Sequence, residues 1–136
     1  MPRTHPLEHL EAILVVGIGG FAGSNLRYFV ELLVTPSLAA TLIVNTVGSF
    51  AIGFFIYEEL YSDTISTASR TLMAVGFIAS FTTYSTFIID VLTTTPVIGI
   101  GYVLVSYAGG FAAGLVGREA ALWVTAAVPP TPEVSD

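Results

Sequence analysis

Residues 71–89 read TLMAVGFIASFTTYSTFII, nineteen residues without a charge, apolar at both ends and crowded with hydroxyls in the middle. At about 1.5 Å per residue, an uncharged helical run of that length crosses a hydrocarbon core of ~30 Å. Its centre, Phe81-Thr82-Thr83-Tyr84-Ser85-Thr86-Phe87, is poor chemistry for a plain lipid-facing helix. Threonine and serine hydroxyls offer the backbone local bonds that compete with the helical ladder. The stretch therefore predicts a membrane span broken near its middle. A break frees carbonyl groups at the midplane, which is tolerated only where protein or an ion satisfies them. Such carbonyls suit a hard alkali cation. Tyr84 and Phe87, three apart, project from about one face, and the positive edges of their rings can meet a small anion.

The rest of the chain is of the same kind. Of its 136 residues 54% are hydrophobic and 10% charged, with a mean hydropathy of +0.82, against about 25% charged in an ordinary soluble domain. Uncharged runs at residues 12–26, 37–57 and 91–117 supply three more crossings. The expected spans are 11–34, 37–60, 70–94 and 97–124, with Thr35-Pro36 and Thr95-Pro96 ending helices and Ser62-Asp63-Thr64 able to cap one. The organisation is an N-terminal arm at 1–10, a four-helix transmembrane domain at 11–125 and a Pro-rich acidic tail at 126–136. The first run lacks a basic cluster before it and continues into Arg27 and Glu31, so it reads as a span and not as a cleaved signal peptide.

Charge excludes several functions. The four basic residues are all arginines, and ten acids bring the formal charge to -6. No basic patch exists to neutralise phosphates, so nucleic acid is excluded as a partner. There is no cysteine, hence no disulfide or thiolate metal site. The bias of Arg3, Arg70 and Arg118 toward one side against Arg27 on the other is weak under the positive-inside rule. Two readings follow equally: protomers inserted in opposite directions, or arginines that merely anchor helices. His5 and His9 beside Glu8 read as a solvated arm.

Gly17-Ile18-Gly19-Gly20-Phe21-Ala22 imitates a dinucleotide fingerprint, but the region from Pro36 to Phe55, where the ribose-binding acid of a βαβ unit would stand, is uncharged and membrane-length, so that reading fails. Small residues four apart do serve close helix packing in lipid: Gly19 with Gly23, Gly110 with Gly114, Gly109 with Ala113 and Gly117, and the narrow polar row Asn45, Ser49, Gly53. Intramembrane polar residues are expensive and mark function. Asn45, the third-span hydroxyls and Ser106, with Tyr102 one turn before it, are the candidates. Arg27 one turn from Glu31 reads as an ion pair or an electropositive vestibule, and Asp90 as a helix-end carboxylate and not a proton relay.

Gly19-Gly20-x-x-Gly23 with Arg27-Tyr28, Thr41-Leu42-x-Val44-Asn45-x-x-Gly48-Ser49-Phe50, and Gly76-Phe77 followed by Thr82-Thr83-Tyr84-Ser85-Thr86-Phe87 resemble the small fluoride channels of the Fluc family, over residues 12–122. The resemblance implies an antiparallel dimer of four-span protomers in the cell membrane, with two fluoride pores and a buried sodium ion (Na+) on the two-fold axis. The sodium would be held by the carbonyls of Ala79 and Thr82. The pore would draw on Asn45, Thr83, Tyr84, Ser85, Phe87, Tyr102 and Ser106, with Arg27 in the vestibule. Two departures stand out: Ala79-Ser80 where the family often has Gly-Gly, and Tyr84 where it has phenylalanine. Some members pair two related chains, so a homodimer and a heterodimer both remain open. The rival from another class is a proton-coupled small multidrug transporter, which needs a carboxylate deep in the membrane. Glu11 and Glu31 only flank the first span, leaving Asp90 as its one candidate.

Overall fold

The computed structural model describes residues 6–61 and 65–127. The tail at 128–136, His5 and the Ser62-Asp63-Thr64 cap lie outside them. Every element among the described residues is helical: α1 (Pro6–Leu33), α2 (Ser37–Tyr61), α3 (Thr67–Arg70), a π-helical segment (Thr71–Ile78), α4 (Ala79–Phe81), α5 (Tyr84–Thr93) and α6 (Pro96–Ala127). They make four spans, the third assembled from everything between Thr67 and Thr93. All four crossings fall within a few residues of the expected ones. Pro6 opens α1, where a fixed φ and a missing N–H cost nothing, so the last part of the expected arm is already helical. The cap of α3 is Ser66, whose hydroxyl accepts from the Ser69 N–H at 3.2 Å.

Alternate spans run parallel and pack through their glycines. The first lies on the third, where Cβ atoms on Gly19 and Gly23 would run into the carbonyl oxygens of Leu72 and Phe77. The second lies on the fourth, where Gly53 meets the Gly114 carbonyl and Gly117 the Phe50 carbonyl. The expected glycine rows thus join helices within one chain, by backbone approach that no side chain would permit. The π-helical turns of the third span were not foreseen. The Leu72 and Phe77 carbonyls of these wider turns lie against α1, and the glycines opposite leave room for them.

At the junction of spans two and three the Glu58 carboxylate is 2% exposed. It accepts from Arg70 Nη2 at 3.0 Å and from the Ile65 N–H at 3.1 Å, while Glu59 lies 3.6 Å from Nη1 of the same arginine. Arg118 pairs with Glu119 at 2.9 Å and lies over the Tyr57 ring at 5.3 Å. With Arg27 near Glu31, each arginine among the described residues has a carboxylate beside it, which weakens further the charge bias that would orient the chain.

Candidate functional site

The third span is broken where its hydroxyls cluster. Thr82 (ψ 157°) and Thr83 (φ -146°) are extended between α4 and α5. Two bonds replace the helical ones. The Thr83 N–H, which in an unbroken helix would go to the Ala79 carbonyl, donates instead to Asn45 Oδ1 at 2.8 Å. The Thr86 N–H, which would go to the Thr82 carbonyl, donates to the Thr83 hydroxyl at 3.2 Å, capping α5. The Asn45 amide completes the splint by donating from Nδ2 to the Thr83 carbonyl at 2.9 Å. Ala79 and Thr82, the two residues singled out for an alkali ion, thus lose their helical donors. Their oxygens match the ligand type that a hard cation prefers. Among the described residues no three His, Asp or Glu side chains gather to hold a metal.

Arg27 takes part in the break. Its Nη1 points at the Thr82 carbonyl oxygen from 3.5 Å, while its Nε lies 3.7 Å from Glu31. The ion-pair expectation and the vestibule expectation share this one side chain.

On the far side of the break the aromatics form a stack. Tyr84 and Phe87 lie 6.0 Å apart at 28°, Phe87 and Tyr102 5.4 Å apart at 33°, and Tyr107 stands at 85° to Phe87 at 6.2 Å. Tyr84, Phe87 and Tyr107, with Asn45, Ser49, Ser106, Gly110 and Phe111, line an open groove of about 300 Å³ on one flank of the protomer, and Tyr102 lies behind Phe87. Phe87 is buried, whereas Tyr84 is 70% exposed. The hydroxyls divide into spent and unspent. Thr83, 6% exposed, gives its proton to Thr86 Oγ1 at 2.9 Å, so its hydroxyl frames the break and has no proton left for the groove. Ser85 is exposed, its Oγ 3.4 Å from the same hydroxyl. The Tyr102 Oη and Ser106 Oγ are buried and have no hydrogen-bond partner. A buried donor left unmade is costly, so such a pair calls for something to receive it.

Two residues here escaped the sequence reading. Asp90 is a helix-end residue by position, but it is only 4% exposed and accepts from Thr41 Oγ1 at 2.8 Å, with Thr41 itself 1% exposed. Together with Tyr102 and Ser106 they form one buried polar strip between spans two, three and four. The signal for it was the Thr41–Asn45 spacing, one helical turn that puts both side chains on the same face of α2.

The sequence model of the family described as CrcB-like protein, Camphor Resistance (CrcB), matches residues 14–118. The chain belongs to that family. It is 51% identical over 119 residues, 88% of this chain and 92% of the other, to a protein of Haloarcula marismortui named Fluoride-specific ion channel FluC 1. A protein of that name from Natronomonas pharaonis is 35% identical over 113 residues, covering 82% of this chain and 95% of its own. One from Methanospirillum hungatei is 42% identical over 103 residues, 76% of this chain and 70% of its own. The matched CrcB region runs from the first span into the fourth, and this is a multi-pass membrane protein.

Proposed function

We propose that the protein is a fluoride-selective channel of the cell membrane that lets fluoride leave the cytoplasm down its electrochemical gradient. It is a channel and not an enzyme. The observation that carries the reading is the pair of buried, unpartnered hydroxyls of Tyr102 and Ser106 beside Phe87. Fluoride is small and holds its water tightly, so a path for it must replace that water with donors at close range. Tyr102, Ser106 and the second Nδ2 proton of Asn45 are such donors. The edges of Phe87 and Tyr84 add a positive rim, Ser85 stands at the exposed end of α5, and Arg27 supplies vestibule charge. Thr83 serves the path indirectly, by holding the break.

Two finer parts of the reading concern assembly. The groove is open along one side of the protomer and Tyr84 stands exposed in it, which favours closure by a second copy. That copy is an antiparallel homodimer partner within the lipid, with a heterodimer of related chains as the alternative. On the axis, Ala79 and Thr82 carbonyls from both protomers would hold a structural sodium ion, whose charge satisfies acceptors that the helix breaks leave at the midplane. A proton-coupled multidrug transporter is disfavoured, because Asp90 is enclosed by Thr41 and Glu31 lies beside Arg27.

The test is efflux from proteoliposomes that contain this chain alone, read with a fluoride electrode. Fluoride should leave with no proton gradient imposed, and chloride should stay. Efflux that needs the gradient, or chloride passing equally well, overturns the channel reading.

A further inference from the structure

The break in the third span carries a positive charge of its own. Arg27, 55 positions away in the first span, reaches across with Nη1 to the Thr82 carbonyl oxygen at 3.5 Å. That oxygen has no helical donor, because the Thr86 N–H is taken by the Thr83 hydroxyl. It is also one of the two oxygens that would hold the proposed sodium ion. We propose that the Arg27–Glu31 pair sets how tightly the axial site holds its alkali ion, Arg27 loosening it and Glu31 tightening it. The proposal rests on the sodium reading and adds to it the residues that tune the site.

The argument is electrostatic. A hard cation sits about 2.4 Å from a ligating oxygen, so on the Thr82 carbonyl it lies within roughly 6 Å of the Arg27 nitrogen. Two positive charges at that distance repel, the more so where one side is protein and not water. The carbonyl dipole is shared as well, since an oxygen already pulled by a guanidinium offers less to a second cation. A two-fold dimer doubles both effects, with one Arg27 from each protomer. Glu31 works against them. Its carboxylate lies 3.7 Å from Arg27 Nε, and the two side chains are 31% and 37% exposed. That degree of exposure leaves the pair partly screened, which keeps the effect to about tenfold in ion affinity and no larger. In a protomer without its partner, the same arginine keeps the Thr82 carbonyl from standing unsatisfied in the membrane.

The experiment titrates sodium against the purified full-length chain in detergent, at constant ionic strength with N-methylglucamine as the replacing cation. The readouts are dimer fraction by light scattering and the midpoint of thermal unfolding, neither of which depends on flux. Arg27→Gln should lower the sodium concentration for half-maximal stabilisation about tenfold. Glu31→Gln should raise it several-fold, and Arg27→Lys, which keeps the charge, should stay nearer the unmodified chain than Arg27→Gln. Opposite shifts support the inference. Shifts in the same direction, no shift, or a loss of stability that is the same at every sodium concentration overturn it, because a merely structural ion pair behaves in that way. If the unmodified chain shows no dependence on sodium, the alkali-site reading falls first and the inference falls with it. The two failures are therefore told apart by the first titration curve.

Discussion

Asn45 is the residue on which the broken span depends, and replacing it with leucine of similar size tests that dependence. The amide makes two bonds to one residue, accepting from the Thr83 N–H at 2.8 Å and donating to the Thr83 carbonyl at 2.9 Å. Leucine leaves both backbone groups without partners, and each buried polar group so orphaned costs about 1–3 kcal/mol. The two together give ~2–6 kcal/mol. Part of this is recoverable, since the Thr83 N–H can swing back to the Ala79 carbonyl and close the break as ordinary helix. That relaxation brings the expected loss to about 2–4 kcal/mol, and it removes a carbonyl from the axial ion site at the same time. Reversible unfolding of the purified protein in mixed micelles measures the stability, and the sodium titration measures the site. Asn45→Leu should lose both the stability and the response to sodium. Asn45→Asp keeps the acceptor for Thr83 N–H but turns a carboxylate oxygen toward the Thr83 carbonyl, and should lie between leucine and the unmodified chain. A loss below about 0.5 kcal/mol in Asn45→Leu, within the range of an ordinary surface change, would refute the idea that this amide holds the break.

Glycine positions give a contrast with an internal control. A Cβ on Gly117 would meet the Phe50 carbonyl oxygen and force spans two and four apart, whereas Gly101 has no atom within 4 Å of such a position; Gly117→Ala should cost about 1–3 kcal/mol in the same unfolding assay and Gly101→Ala less than ~0.5. For the aromatic stack, Phe87→Ile removes the ring that Tyr84, Tyr102 and Tyr107 all contact, and fluoride efflux should fall at least about tenfold, the equivalent of ~1.4 kcal/mol, while the dimer survives. Tyr84→Phe should alter the efflux rate and leave assembly intact; unchanged flux in both variants would remove the aromatic path.

The four spans, their ends and the place of the break were all legible in the chain, for a physical reason. Lipid offers no hydrogen-bond partners, so a run of twenty or so uncharged residues has only the helix to adopt, and the only strong competitor to the helix is the local chemistry of hydroxyl side chains. Thr82-Thr83 in the centre of residues 71–89 supplies that chemistry without help from elsewhere. The pairing of Tyr84 with Phe87 is likewise a matter of three-residue spacing.

What the neighbours of those residues do was decided only by packing. Asn45 and Thr83 are 38 positions apart, Thr41 and Asp90 49, and Arg27 and Thr82 55, and periodicity within a helix says nothing about which face meets which across two helices. Thus Asn45, expected as a pore donor, uses most of its amide to splint the break, and the Thr83 hydroxyl caps α5 where it was expected to face the ion path. Asp90, read as a helix-end carboxylate, does stand in the last turn of α5 but is enclosed there by Thr41. Only when the glycines of spans one and two had let the backbones close on spans three and four did it become settled which hydroxyls were spent. Tyr102 and Ser106 are the ones left over: they lie in the buried strip beside Thr41 and Asp90, yet neither oxygen makes a well-formed hydrogen bond once the helices have docked.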